Sequence, residues 1–173
     1  MSDEDSGGQE APVEGPDSEF GVLRSWSRGQ KVLHPSRDQY LEVARALYDA
    51  GYLMCVDVTA VDFCAAKQQR TLPDGVVAER FEIVAGFISH VDRSRVRLRV
   101  QVPESDPTCP SLWELHAGVE ALEREVYDLF GISFEGHPDM TRILMPENWQ
   151  GHPLRKDYAM GRIPVQFKGA PSS

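Results

Sequence analysis

The chain has 173 residues, a length that suits one domain with tails. Its formal net charge is −9, but seven acidic residues and no Lys or Arg lie in the first 20 positions. The other 20 acidic and 18 basic residues nearly balance, which excludes a general electrostatic case for nucleic-acid binding. The three cysteines, at positions 55, 64 and 109, form no C-x-x-C pair, so they are interpreted as reduced thiols rather than an iron–sulfur cradle.

Residues 1–19 contain almost no apolar side chains, and we predict a disordered acidic tail. An acidic interaction tail is the alternative. No apolar run approaches the roughly 18 residues needed to span a bilayer, so any membrane contact is expected to be made through other proteins. We expect regular structure to begin between Phe20 and Leu33 with a short strand.

A helix is predicted next, because Ser36 and Gln39 have capping-box spacing and Gly51 is placed to end it. Leu53–Phe63 is rich in Val and Thr and predicts a strand. Asp57 and Asp62 lie five residues apart on that strand, which places them on opposite faces. A metal or catalytic pair is therefore less favoured than local hydrogen bonding at strand ends and edges.

Residues 80–91 and 94–102 predict a β-hairpin. In its second arm four valines or leucines alternate with Arg93, Arg95, Arg97 and Arg99, so one face belongs to the core and the other carries guanidinium groups. The arginine stripe is consistent with a solvated face that discourages edge pairing, or with a docking face for an acidic partner. Nucleic-acid binding is disfavoured because aromatic residues are not interleaved with it.

A second helix is predicted from Ser111, which with Glu114 has capping-box spacing, to a C-cap at Gly131. Apolar residues recur along it at alternating intervals of three and four. Beyond Gly131, frequent Gly and Pro interrupt regular structure while large apolar side chains persist. Such a segment is unlike a linker, and we interpret residues 132–173, called the arm below, as a basic extended arm laid over a partner.

Two Gly-His-Pro tripeptides, centred on His137 and His152, raise a metal-site hypothesis with Asp139 or Asp157 as third ligand. The competing interpretation is that each ring bonds to backbone. Glu123, Glu125 and Asp128 could supply an acid–base pair. We favour instead an ion-pair network in which Glu125 and Asp128 hold the arm through Arg142 or Arg155.

Three motifs follow one another here: EREVYDLFGI at 123–132, FEGHPD at 134–139 and GHPLRKDY at 151–158. This ordered set resembles the signature of the 30 kDa subunit, or C subunit, of respiratory complex I, the proton-pumping NADH-quinone oxidoreductase. DVTAVDF at 57–63 is a weaker likeness to the family's central strand. The matching positions, which the resemblance makes docking or arm-fixing residues, are Glu123, Tyr127, Asp128, Phe130, Gly131, Phe134, Gly136, His137, Pro138, Asp139, Arg142, Gly151, His152, Pro153, Leu154, Arg155, Lys156, Asp157 and Tyr158. Trp149 and Tyr158 are in addition amphipathic anchors for an interface, although Trp149 could equally pin the arm onto its own domain.

The expected fold is α/β (α+β): a small mixed sheet with a β-hairpin, packed by two amphipathic helices and followed by the long extended C-terminal arm. The expected divisions are a tail at 1–19, a domain at 20–131 and the arm at 132–173.

The resemblance implies a peripheral, non-redox subunit on the cytoplasmic side of the cell membrane. Its partners would be other complex I subunits, chiefly the D subunit, which helps to form the quinone site and is called the quinone-site subunit below. The resemblance implies no catalytic centre, cofactor or metal in this chain, with FMN and Fe–S clusters in partner subunits. Two alternatives stay open: the equivalent subunit of a membrane-bound hydrogenase or other quinone-reducing dehydrogenase, and a small metal-dependent hydrolase built on the two histidines.

Overall fold

A computed structural model describes residues 18–64 and 70–159 of the chain, and these form one mixed sheet, a two-stranded ribbon and two α-helices. The strands are β1 (Ser18–Glu19), β2 (Val22–Ser27), β3 (Gln30–His34), β4 (Met54–Asp62), β5 (Phe81–Ser89), β6 (Ser94–Val102), β7 (Thr108–Pro110) and β8 (Ser133–Glu135). The helices are α1 (Arg37–Asp49) and α2 (Glu120–Phe130), the latter preceded by a 3₁₀ turn at Ala117–Val119. No helix in the described part of the chain is long and apolar enough to cross a membrane.

The six-stranded sheet has the order β1-β2-β3-β6-β5-β4. All neighbours are antiparallel except β3 and β6, which are parallel. Alternate residues of β5 and β6 share one buried cluster with the apolar sides of α1 and α2. Both helices therefore cover the same face, called the inner face, and no α-helix of residues 18–64 and 70–159 packs on the other, outer face.

The first helix and the hairpin confirm their sequence predictions. The Ser36–Gln39 capping box is formed, and strands β5 and β6 pair in register from Phe81 with Val102 to Ser89 with Ser94. The side chains of β6 alternate between buried aliphatics and more exposed arginines, as predicted. Asp57 pairs across from Gly86 and Asp62 from Phe81, which places the two carboxylates on opposite faces.

The predicted start of the second helix at Ser111 is wrong, because α2 begins at Glu120. No capping box forms with Glu114. The Ser111 hydroxyl instead donates to the carboxylate of Glu123, which also accepts the N–H of Leu112 at 2.8 Å. Glu123 lies on α2, so its buried carboxylate holds residues 111 and 112 against the side of that helix. These residues precede the helix and do not form its first turn.

The structure adds detail at both ends of the domain. Residues 1–17 of the predicted tail lie outside the described residues, but Ser18 and Glu19 form β1, and the Glu19 carboxylate accepts a hydrogen bond from Lys31 at 2.7 Å. At the other end, Ile132 and Phe134 belong to the core, and β8 pairs in parallel with β7. The part of the arm that lies on the surface therefore begins after Glu135.

Candidate docking site on the arm

The described part of the arm, residues 132–159, returns along α2 and is fixed to it at several points. Near the start of the helix the imidazole of His137 bonds to the Glu120 carbonyl oxygen, with Nε2 and O 3.0 Å apart. One turn further on, the Arg124 guanidinium donates to Thr141 and to the Arg142 carbonyl. The helix surface is thus the template on which the arm is laid.

Asp128, near the end of α2, is the main anchor. Its side chain is fully buried, and one carboxylate oxygen accepts three consecutive backbone N–H groups, those of Ile143, Leu144 and Met145, at 3.1, 2.8 and 2.8 Å. The other oxygen accepts the Arg142 guanidinium at 2.6 Å. A single carboxylate therefore satisfies a whole turn of the arm, a geometry in which charge-assisted hydrogen bonds are strong.

These contacts set the protonation state of Asp128. Burial alone raises the pKa of the carboxyl group, but the backbone N–H groups of residues 143–145 and the Arg142 guanidinium outweigh it and leave the pKa below its ordinary value of 3.8. The group is ionised throughout the physiological range, as its hydrogen-bond pattern requires.

We expect this lowered pKa to appear as acid sensitivity. A carboxyl group with a depressed folded-state pKa contributes stability that is complete above its unfolded pKa, about 3.9, and is lost as pH falls through the lower folded value. Urea unfolding at pH 6, 4 and 3 should show the free energy of unfolding decreasing with pH below about 4. Asp128→Asn should have a shallower dependence, and an unchanged dependence would contradict the assignment.

His152 caps the other side of the same helix end. Its Nδ1–H donates to the Asp128 carbonyl oxygen at 2.9 Å, and the N–H of Leu154 donates to the Leu129 carbonyl at 3.0 Å. The imidazole sits against Gly131, whose φ of +75° is the left-handed C-cap conformation predicted from the sequence. A Cβ at position 131 would lie 2.6 Å from the imidazole Cδ2. Glycine at position 131 is therefore required both by the left-handed conformation of the helix C-cap and by the close packing of the His152 ring.

Gly131→Ala should destabilise the chain by more than the cost of the backbone conformation alone. An alanine in the left-handed region costs about 1–2 kcal/mol, and His152 must in addition leave its seat. Gly136→Ala is a matched control, because Gly136 has φ of +85° and no atom within 4 Å of the added Cβ. Chemical denaturation of both variants should show the larger loss for Gly131→Ala, whereas equal losses would contradict the role given to His152.

The two histidines of the repeated tripeptide do not share a site. His137 bonds to Glu120 O and His152 to Asp128 O, carbonyls eight residues apart and so roughly 12 Å apart along the helix. His137 also accepts the Asp139 N–H on its second nitrogen at 3.0 Å. No group of three or more metal-ligating side chains occurs among the described residues. The rings are used as backbone-bonding groups.

A second anchor, which no local sequence pattern indicates, fixes the tip of the arm to the sheet. Asp62, at the end of β4, is buried and forms a two-point pair with Arg80, with Nε–Oδ1 and Nη2–Oδ2 distances of 3.1 and 2.9 Å. Asp62 also accepts the backbone N–H of Lys156 at 2.8 Å, and the Arg80 guanidinium reaches Asp157 at 2.7 Å. Two buried charges of the domain, Asp62 and Arg80, thus bind the consecutive arm residues Lys156 and Asp157.

Electrostatics at the second anchor are mutually reinforcing. Burial alone raises the pKa of Asp62, but hydrogen bonds from Arg80, Lys156 and Cys64 outweigh it and lower that pKa below its ordinary value. Hydrogen bonds to Asp62 and Asp157 raise the pKa of Arg80 above its ordinary value. Both partners are held in their charged forms, the state in which a buried pair is compensated.

The structure brings together most, but not all, of the predicted arm-fixing residues. Tyr127 packs edge-on against His152, with ring centroids 6.2 Å apart. Arg155 lies over the Phe81 ring rather than on Asp128, and Glu125 is exposed and outside the network. The residues placed in contacts between arm and domain or within the arm are Tyr127, Asp128, Gly131, His137, Asp139, Arg142, Gly151, His152, Leu154, Arg155, Lys156, Asp157 and Tyr158.

The other predicted residues have different surroundings. Phe130, Phe134 and Glu123 are buried within the domain itself. Gly136 and Pro138 are exposed at the turn where the surface part of the arm begins. Pro153 is half-buried within the arm. Trp149 is also half-buried, and its indole nitrogen has no hydrogen-bond partner in the described structure.

Three large aliphatic side chains of the arm face solvent. Ile143, Leu144 and Leu154 are 40, 59 and 47% exposed. The backbone of the first two is bonded to Asp128 and that of the third to Leu129, so the side chains are presented on a fixed frame. An exposed apolar group held in place is typical of an interaction site rather than of a mobile loop.

Comparison with known proteins identifies the family. The family described as respiratory-chain NADH dehydrogenase, 30 Kd subunit, matches residues 33–163. The C subunit of NADH-quinone oxidoreductase from Saccharopolyspora erythraea is 42% identical over 146 residues, covering 83% of this chain and 55% of that protein. The corresponding protein of Mycolicibacterium gilvum is also 42% identical over 146 residues, with 83% and 60% covered. The chain therefore spans little more than half the length of these relatives.

Two solved structures share the fold. The trypsin-resistant fragment (1–134) of Nqo5, in its P63 form, is 34% identical, with a TM-score of 0.59 over 69% of this chain and 89% of that one. A chain of the membrane-bound sulfane sulfur reductase, an archaeal respiratory membrane complex, is 19% identical, with a TM-score of 0.65 over 88% of this chain and 89% of that one, a likeness of fold alone. On the family match and the identities to its relatives, this chain belongs to the family of the 30 kDa subunit of respiratory-chain NADH dehydrogenase.

Proposed function

We propose that the chain is a non-redox structural subunit of the hydrophilic arm of NADH-quinone oxidoreductase and that it docks onto the quinone-site subunit through its arm. The observation that carries this proposal is the exposed trio Ile143, Leu144 and Leu154 on a backbone fixed by buried charges. A backbone held before binding loses little conformational entropy on association, which favours affinity. The arm is thus built as a preformed docking element.

Within that assembly, the role of the chain is to hold neighbouring subunits in position. Electrons pass from NADH through FMN and Fe–S clusters in partner subunits to quinone, coupled to proton translocation. The groups described here, such as Asp128, Asp62 and Arg80, are engaged in holding the arm. A rigid support of this kind fixes the position of a neighbouring reaction centre. The chain sits peripherally on the cytoplasmic side of the membrane.

The test is a pair of substitutions that alter the apolar trio without touching an anchor. Leu144→Asp with Leu154→Asp places charges where the partner is expected to desolvate the surface, so the amount of assembled complex on native gels should fall at least about tenfold. Both side chains are about half exposed, so the variant chain should unfold at nearly the wild-type denaturant concentration.

Val77→Asp is the matched control, because Val77 is a 73% exposed aliphatic residue that lies on a loop of the domain and not on the arm. It should leave the assembled complex at wild-type abundance. Normal assembly of the Leu144→Asp/Leu154→Asp chain would remove the arm from the docking interface. Equal losses in both variants would show a general defect rather than a docking one.

A further inference from the structure

The outer face of the sheet holds a second candidate surface, which is independent of the arm. Both helices pack on the inner face with the core. On the outer face, the register sets three rows of side chains across β4, β5 and β6: Met54, Ile88 and Arg95; Asp57, Gly86 and Arg97; Thr59, Val84 and Arg99. Apolar and small residues in the first two strands thus lie beside the arginine stripe of the third.

The arginines of the stripe differ in their pairing. Arg99 makes two bonds to the buried carboxylate of Glu82, at 2.7 and 3.0 Å. Arg93, Arg95 and Arg97 have no acidic partner within 4 Å among residues 18–64 and 70–159. Arg95 and Arg97 lie on β6 and Arg93 lies in the turn that precedes it, so three unpaired guanidinium groups form a positive strip at the hairpin end of β6.

A notch lies next to this strip. Gly86 lacks a side chain at the centre of the middle row, and the resulting cavity of about 180 Å³ is lined by Val56, Val84, Arg95 and Arg97, among others. The register of β4 shifts between Cys55 and Asp57, where Val56 lies 3.4 Å from the position of a Cβ on Gly86. A volume of this size accommodates one aliphatic side chain.

The neighbouring edge strand adds apolar surface. On β4, Met54, Val56 and Val61 are 47, 43 and 37% exposed. Asp57 is the acid that faces the notch from this side, so the surface is polarised, with a carboxylate towards β4 and guanidinium groups towards β6. A partner must therefore bring its carboxylates to the β6 side.

We propose that this outer face docks an acidic segment of a partner protein, which inserts one aliphatic side chain into the notch over Gly86 and pairs its carboxylates with Arg93, Arg95 and Arg97. Anchoring an apolar side chain in a pocket beside arginines is typical of interface hot spots. Electrostatic complementarity supplies the orientation. The surface does not depend on the arm, so it stands or falls separately from the proposed function.

The probe is a 12-residue peptide with a central leucine flanked by Glu and Asp, added to the ¹⁵N-labelled full chain. We expect the amide signals of Gly86, Val84 and Arg97 to shift in a saturable way. A peptide with Gly in place of the leucine, and one with Lys in place of the acids, should bind at least about tenfold more weakly. Equal binding of the acidic and basic peptides would overturn the proposal.

Variants of the chain locate the contact. The double substitution Arg95→Glu/Arg97→Glu should abolish the preference for the acidic peptide and create one for the basic peptide, and Arg95→Gln/Arg97→Gln should lose binding without the reversal. Arg45→Glu, an exposed reversal on α1, is the control and should change nothing. Gly86→Val, which fills the notch, should lower the affinity for the leucine peptide to that for its glycine analogue. Retained affinity for the leucine peptide would overturn the notch assignment.

Two other occupants are outcomes of the same experiment. If a uridine oligonucleotide shifts the same signals with equal affinity, the face recognises phosphate generally and the proposal fails. If the peptide binds only after the six acidic residues of positions 1–17 are replaced by amides, the chain's own acidic segment is the occupant, and the proposal of a partner segment fails as well.

Discussion

Asp128→Ala is expected to lower the free energy of unfolding by about 3–5 kcal/mol, the range for removing one partner of a buried ion pair. The substitution leaves the Arg142 guanidinium, 14% exposed, without its carboxylate. It also leaves the backbone N–H groups of Ile143, Leu144 and Met145 without the acceptor that the carboxylate provides. Asp128→Asn should cost less, because an amide oxygen can still accept some of those N–H groups but carries no charge.

Urea denaturation monitored by circular dichroism measures the change. Glu125→Ala is the matched control, since it removes a carboxylate from the same helix at an exposed position and should change stability by less than about 0.5 kcal/mol. A small effect of Asp128→Ala, comparable with that of Glu125→Ala, would mean that the arm is not held by this carboxylate.

Arg80→Ala should lower the free energy of unfolding by a similar amount, about 3–5 kcal/mol. The side chains of Arg80 and Asp62 are 3 and 0% exposed, so the substitution leaves a buried carboxylate with two backbone donors among the described residues, Cys64 and Lys156. It also removes the ion pairs to Asp157 and Glu104. Hydrogen exchange should in consequence show the amide of Lys156 less protected, because its acceptor is no longer held.

Arg45→Ala controls for the loss of an arginine as such, because Arg45 is exposed on α1 and should cost less than about 0.5 kcal/mol. An Arg80→Ala chain with wild-type stability and an unchanged Lys156 amide would contradict the second anchor. A destabilised chain with full protection at Lys156 would assign Arg80 to the domain alone.

Local sequence signals predicted the regular elements where those signals act locally. The Ser36–Gln39 box, the hairpin alternation and Gly131 as a C-cap all depend on residues close in sequence, and all three are found in the structure. The Ser111–Glu114 box has the same spacing but is not formed, because a buried carboxylate twelve residues away competes for the Ser111 hydroxyl. Tertiary contact overrides the local pattern there.

The candidate site was predicted only in part, because only contacts between residues close in sequence leave a local pattern. Asp128 with Arg142 lies within one motif-rich stretch, so an ion pair could be inferred from it. Asp62 and Lys156 are 94 residues apart, and no local pattern relates them. An acid at the end of a strand gives no sign that it accepts a backbone N–H from a distant arm, so the second anchor required the structure.

The proposed place of the chain in NADH-quinone oxidoreductase is tested by the migration of the tagged chain on native gels of membranes solubilised with mild detergent, combined with an in-gel assay of NADH oxidation. We expect the tag to lie in a very large band that oxidises NADH and contains the quinone-site subunit. A tag found only in a small species, or in a large complex that does not oxidise NADH, would contradict the assignment of this chain to NADH-quinone oxidoreductase.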